Sequence, residues 1–178
     1  MAIFEGYEVS REMTRSSTAT VRAVPIAAVT KRAGPVIVHA DSFKITSEQR
    51  IQIVDITEQV ATLARAAGVR EGIATLCSLH TTTALFVNEH QDALVADYET
   101  FLTGIVDAEM PWKHNNAAHS DCVRFNTAAH LRALVLGRDV TIQVNGGELV
   151  LGGWQRILFA ELDGPQVRTL RLSVLGVA

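Results

Sequence analysis

The sequence predicts an α+β fold, and three observations carry that prediction. Apolar residues recur at helical spacing in only three segments, near 56–67, 88–105 and 127–136. Apolar or alternating runs of strand length occupy most of the remainder. The resulting order is strands, helix, strands, two helices, strands, without the repeated βαβ unit of a parallel fold. A chain of 178 residues, 48% hydrophobic and 20% charged, is the size and composition of one soluble domain with one real core.

Residues 1–40 read as an N-terminal extension or arm, with a Thr/Ser-rich stretch, "TRSSTAT", and two prolines, Pro25 and Pro35. At its end "PVIVHA" (35–40) reads as a short strand. "SFKI" and "RIQIV" flank "TSEQ", which predicts a hairpin. In "DITEQVATLARAAG", Asp55 is placed to cap a helix, with Glu58 completing a capping-box spacing. Ile56, Val60, Leu63 and Ala67 share one face, and Gly68 supplies the stop. "GIATLCSL" reads as a strand buried on both faces, followed by "TALFV". A second helix is expected from Asn88, carried by Leu94, Tyr98, Phe101 or Leu102, and Ile105. The polar stretch "DAEMPWKHNNAAHSDCVRFN" is a long loop, and loops of that length are often functional. "TAAHLRALVLG" is a short helix ended by Gly137. "DVTIQV" and "ELVL" form a hairpin around "NGG". "WQRILFAEL" and "QVRTLRLSVLGV" are expected to form another around "DGP". In that last strand Arg168, Leu170, Leu172 and Val174 share one face.

Net charge is -3, so no basic field points to nucleic acid or an anionic membrane. No apolar run reaches the roughly 18–20 residues of a membrane span. The N-terminal stretch lacks the apolar core of a secretory signal, so a cytoplasmic protein is expected. Two cysteines, Cys77 and Cys122, make no disulfide framework and are expected to be reduced.

Chemistry concentrates on histidine. Of six, His80, His90, His114 and His130 sit at element boundaries, where a side chain can turn from the core toward a cleft. Three neutral imidazoles from separate segments plus a water would make an open, catalytic-type metal site. Glu89 could then act as a base or as a partner to a ligating ring. The competing reading makes His80 and His130 hydrogen-bonded boundary residues and His114 a solvated one. His39 and His119 are assigned no role. Near the C-terminus, Trp154 and Gln155 put an indole beside an amide, and Glu161 and Asp163 are candidate paired acids.

"HTTTALFVNEH", "AAHLRALVLG", "LVLGGWQRI" and "ELDGP" together resemble the YjbQ family, the secondary thiamine-phosphate synthases, over about residues 41–178. The resemblance implies an α+β domain with two β-sheets and about three helices, assembled as a homotrimer. It implies a histidine-lined pocket, near a subunit interface, for a divalent metal ion such as zinc and a phosphorylated small-molecule substrate. His80, His114 and His130 match the family's histidines and would be the metal ligands. Glu89 and Asp163 would be catalytic. Thr81, Thr82, Asn88, Trp154, Gln155 and Glu161 would bind ligand. The implied activity is a weak thiamine-phosphate synthase-like transfer, joining a pyrimidine diphosphate to a thiazole phosphate. A metal-dependent hydrolase and a binding protein without turnover are the alternatives. Four positions depart from the family pattern: Thr83 stands for Ala, His90 for Asn, Arg156 for Gly, and Gln166 for the Arg after Asp-Gly-Pro. Arg156, Arg168 or Arg171 could replace that lost phosphate donor.

Overall fold

The structure is a computed structural model, and it describes residues 32–178. Eight strands and three α-helices follow in the order β1 (Val36–Thr46), β2 (Gln52–Asp55), α1 (Thr57–Ala66), β3 (Glu71–Ser78), β4 (Thr83–Asn88), α2 (Asp92–Ile105), α3 (Thr127–Leu136), β5 (Asp139–Asn145), β6 (Glu148–Leu149), β7 (Arg156–Glu161) and β8 (Val167–Val177). They form two antiparallel sheets, β1-β8-β3-β5-β6 and β2-β7-β4. The α+β class, the two sheets and the three helices are as expected. β1 begins at Val36, upstream of the domain start expected at Asp41; of the expected N-terminal arm, residues 1–31 lie outside the described residues. Among the described residues no helix is long and apolar enough to cross a membrane.

The three-stranded sheet is the middle layer, and β7 explains why. Its residues 157–160 are all apolar and wholly buried. Ile157 and Phe159 point toward the five-stranded sheet, where Leu76, Ile142, Leu170, Leu172 and Val174 meet Ile56, just before α1, and Val60 and Ala64 within it. Leu158 and Ala160 point the other way, onto Leu102 of α2 and Ala129 and Ala133 of α3. A strand covered on both faces reads as a continuous apolar run, and "ILFA" is one. β8 keeps the expected alternation: Arg168, Leu170, Leu172 and Val174 are buried, while Val167, Arg171 and Leu175 are exposed.

Two expected hairpins are absent. "SFKI" lies in β1 and pairs with β8, whereas "RIQIV" supplies β2 and pairs with β7. β7 and β8 likewise part into different sheets. The connecting amides are satisfied elsewhere. Leu162 and Asp163 donate backbone N–H groups to Glu161, Gln166 donates to Ser47 Oγ, and Gly164 donates to the Arg50 carbonyl. These side chains compete with the ladder that a hairpin would need. Both connections are therefore crossings between sheets, and they lie side by side.

Helix starts were also displaced. Asn88 ends β4, and α2 is capped by Gln91, whose side chain accepts from Leu94 N–H at 3.0 Å. His90 consequently precedes the helix. Asp55 does bind the Thr57 amide, at 2.9 Å, but from one position before the cap, and the cap position, Ile56, makes no side-chain capping bond.

Gly72 and Gly176 face each other across β3 and β8, where neither has room for a Cβ. A Cβ on Gly72 would meet the Leu175 carbonyl oxygen and would lie 2.7 Å from Gly176 Cα. Gly72→Ala is therefore expected to destabilise the fold by about 1–3 kcal/mol or more, because backbone, unlike a side chain, has no rotamer to escape into. A shift in the urea midpoint measures this; an unchanged midpoint would contradict the register.

Candidate functional site

Three crossings between the sheets meet at one end of the core: 47–50, 79–82 and 162–166. Glu161, at the end of β7, is fully buried and faces the five-stranded sheet, in line with Ile157 and Phe159. It is joined from β8 by Arg168, whose Nε and Nη2 reach the two carboxylate oxygens at 2.7 and 2.6 Å. Ser47 Oγ donates to the same carboxylate, and two backbone amides complete its shell. Arg168 Nη2 also donates to Thr82 Oγ1 at 3.1 Å. Glu161, Arg168, Ser47 and Thr82 thus tie all three crossings together. A side chain on Gly164 would fall 2.8 Å from Glu161 Cγ and 2.9 Å from Ser47 Oγ, so only glycine fits that turn.

His80 stands on the second crossing. Its Nε2 accepts the Thr169 backbone N–H at 2.8 Å. An amide can only donate, so Nε2 carries a lone pair and the proton of the neutral ring sits on Nδ1. Burial, then the charge of Arg168, pulls the His80 pKa below the ordinary histidine value, outweighing the opposite pull of Glu161. The ring is a neutral donor at physiological pH. His80 lines a cavity of about 610 Å³ together with Ser78, Thr81, Thr83, His130 and Arg138. Thr83, buried, is hydrogen-bonded to Ser78.

His130 enters this cavity from α3. Its ring meets that of His114 edge-on, with centroids 5.2 Å apart. Burial, then the neighbouring His114, lowers the His130 pKa, against the opposing charge of Asp163. Asp163 accepts from Arg124 Nε at 2.6 Å and Asn126 Nδ2 at 2.8 Å. Burial pushes its pKa up, but these bonds and the charges of Arg124 and Arg50 more than reverse that, leaving it below the usual carboxylate range. A carboxylate so held is a weak base.

The structure thus gathers His80, Thr81 and His130 on one cavity, with His114 and Asp163 beside His130. Glu161 and Thr82 are buried beneath it. Asn88 and Glu89 are at the far end of β4 from Thr83, roughly 17 Å away at the usual rise of a strand. Trp154 is 77% exposed. Gln155 turns back to accept from Gly152 N–H at 2.7 Å and lines a different cavity. As ligands for one metal, His114 and His130 are adjacent, but the lone pair of His80 is engaged by Thr169. Among the described residues no three His, Cys, Asp or Glu side chains surround a common metal position.

A family profile described as "UPF0047 protein YjbQ-like" matches residues 41–177. The chain belongs to the YjbQ-like UPF0047 family. A UPF0047 protein of Methanothermobacter thermautotrophicus is 37% identical over 139 residues, covering 78% of this chain and 93% of the relative. YugU of Bacillus subtilis is 32% identical over 135 residues, 76% of this chain and 98% of YugU. Among solved structures, a YbjQ-like protein of unknown function from Sulfolobus solfataricus P2 has a TM-score of 0.74 at 33% identity, covering 80% of this chain and 99% of that one. A hypothetical protein from Aeropyrum pernix K1 has a TM-score of 0.71 at 38% identity, covering 78% and 98%.

Gln166, at the position where the family pattern expected from the sequence has Arg, lies beside Arg124. With its amide oxygen turned toward Arg124, Gln166 accepts from Nη1 at 2.8 Å and Nη2 at 3.2 Å. Arg124 comes from the long loop. The candidates named from sequence are placed otherwise: Arg168 is buried on Glu161, Arg156 lies 3.8 Å from Asp55, and Arg171 is on the exposed face of β8. Arg124, Asn126, Ser47 and Ser78 were all missed; their only signal was membership of polar loops or strand ends.

Removing one member of the buried pair leaves the other charge unpaired. Arg168→Met is expected to cost about 3–5 kcal/mol in urea unfolding, with partial recovery in the Glu161→Gln/Arg168→Met double variant. The pH dependence has a definite sign. Folded His80 and His130 bind protons less well than an unfolded chain titrating near 6.5. Their effect is absent at high pH and destabilising as pH falls through about 6.5. Asp163, held below the usual carboxylate range, contributes stability that is fully present at neutral pH and is lost only as pH falls below about 4. The urea midpoint should fall between roughly pH 7 and pH 5, less steeply in His80→Gln; parallel profiles would contradict the His80 assignment.

Proposed function

We propose that the protein is an enzyme acting on a phosphorylated small molecule in the cavity shared by His80 and His130. The observation that carries this reading is two histidines, each shifted toward the neutral form, on one cavity of about 610 Å³. That volume is within the range of small-molecule sites. His80 Nδ1–H is fixed in direction by the Thr169 bond and donates to a substrate oxygen. His130, beside His114 and Asp163, moves the proton. Arg138, lining the same cavity, supplies charge for a phosphate. The family resemblance favours synthase-like transfer with departure of diphosphate. A hydrolase acting on another phosphate ester is the second reading, and binding without turnover the third.

A divalent metal belongs to the same proposal. His114 and His130 would hold it, and His80 would join only by releasing the Thr169 amide. Such an ion would act as a Lewis acid on a phosphoryl oxygen. A homotrimer is also proposed. Val38, Leu175 and Ile73 form a row across three adjacent strands, exposed by 72, 43 and 41%. A row of that kind on the outer face of a sheet is suited to burial between subunits. Assembly would also explain how Asn88 and Glu89, distant within one chain, could serve a site completed by a neighbour.

Pyrophosphate release from a hydroxymethylpyrimidine diphosphate and a thiazole phosphate, alongside a phosphomonoester screen, tests the enzyme reading. His130→Ala should lower kcat by about 10²–10⁴-fold. Saturable binding with no turnover of any phosphorylated compound would favour the third reading. Light scattering at micromolar concentration should give three times the chain mass, and a monomer would overturn the assembly.

A further inference from the structure

Helix α3 has a second cavity on its other side. His130, Ala133 and Leu134 line the histidine cavity, whereas Ala128, Ala129 and Arg132 line one of about 390 Å³. Positions 130 and 132 are two residues apart and point to opposite sides of a helix. The second cavity is also lined by Arg50, Asn115, Phe125, Asn126 and Glu109.

Arg132 is the unusual member. It is only 6% exposed and has no carboxylate partner among the described residues, where the ion pairs are Arg65–Glu148, Arg124–Asp163, Arg156–Asp55 and Arg168–Glu161. Buried arginines are ordinarily paired. Its Nε and Nη2 donate to the Leu102 and Val106 carbonyls, at 2.7 and 2.8 Å, closing the C-terminal end of α2. Among the described residues Nη1 has no protein acceptor, yet none of their buried side-chain nitrogens is left unsatisfied and sealed. Nη1 therefore has access to the opening that Arg132 lines. Arg50 lines the same opening and is itself exposed and without an ion pair among the described residues. Its charge, after burial, lowers the proton affinity of Arg132, so two like charges lie close enough to oppose each other.

The rest of the lining fits this pair. Asn115 accepts from Thr127 through Oδ1, leaving its amide nitrogen without a protein acceptor among the described residues. Phe125 has φ +50°, the one positive value outside glycine among the described residues. Its neighbours Arg124 and Asn126 both reach Asp163 Oδ2, which holds the turn and sets the phenyl group, 61% exposed, on the cavity wall. A left-handed conformation is rare for a bulky residue and persists only where its surroundings impose it. Glu109, the one acid in the lining, is exposed and pairs with neither arginine.

We propose that Arg50 and Arg132 form an oxyanion-binding site, separate from the histidine cavity, for the phosphate or carboxylate of a small molecule whose apolar part lies on Phe125. Arg132 supplies a guanidinium held in place by two backbone carbonyls, and Arg50 supplies the second charge from the rim. Guanidinium groups recognise such anions through charge-assisted bonds. The site stands independently of any reaction at His80 and His130.

Inorganic phosphate and benzoate, titrated separately into the ¹⁵N-labelled full-length protein at constant ionic strength, test it. Saturable shifts are expected in the backbone amides of residues 125–129 and in the Arg132 side chain. Arg50→Gln, a change at an exposed position, should weaken the response about tenfold, as expected for one lost charge-assisted bond. Arg132→Lys should weaken it as well, with an unchanged fold shown by the dispersed spectrum. His130→Ala should leave the 125–129 response in place, which separates this site from the other cavity. A tighter response to benzoate than to phosphate assigns the site to carboxylates, and the reverse to phosphates. Absence of saturation with both anions, or an equal response in Arg50→Gln, would overturn the proposal.

Discussion

Glu161 is a carboxylate without contact with water, held between two sheets by an arginine from the opposite one. A buried ion pair of this kind contributes little net stability compared with apolar side chains of similar volume, because both charges have lost their hydration. What it does here is topological. Arg168 brings β8 against the end of β7 without pairing the two strands, and Ser47 and Thr82 attach the other two crossings to the same charges. The chain changes sheets three times within reach of one carboxylate. Each change would otherwise leave backbone amides unpaired at the margin of the core.

His80 follows from that arrangement. The crossing that carries it is anchored on one side by Thr82 and on the other by the Leu79 N–H bond to the Thr169 carbonyl. Thr169 returns a bond from its own amide to the ring, so backbone geometry sets which nitrogen faces the cavity. Helix α3 is held with equal firmness. Arg132 fastens it to the end of α2, and Asn126 fastens its start to Asp163. A helix fixed at its start and at its middle presents His130 on one side and Arg132 on the other.

The layers were legible in the sequence because burial leaves a period. The alternation in β8 and the helical spacing of α1 gave their environments directly; burial on both faces was expected of "GIATLCSL", where Ile73 is 41% exposed, and is found instead in β7. Strand partners were not legible. "SFKI" with "RIQIV", and "RILFAE" with "QVRTLRLSV", read as hairpins because proximity in sequence is the only evidence a single chain offers for pairing. The deciding groups, Ser47 and Glu161, act over more than a hundred residues of sequence. The same limit applied at the site. His80 and His130 stood out by their boundary positions, whereas Arg124, Asn126 and Arg132 depend on contacts that no spacing rule encodes. Trp154 and Gln155 had strong sequence signals, yet lie away from the histidine cavity within one chain.

The tautomer of His80 bears most directly on this account, since the direction of its donor rests on the crossings beneath it. Long-range ¹H–¹⁵N correlation of the histidine rings at neutral pH reads it without reference to any substrate. The account predicts a neutral His80 protonated on Nδ1, with Nε2 showing the shift of a hydrogen-bonded acceptor. A ring protonated on Nε2, or on both nitrogens at neutral pH, would contradict it.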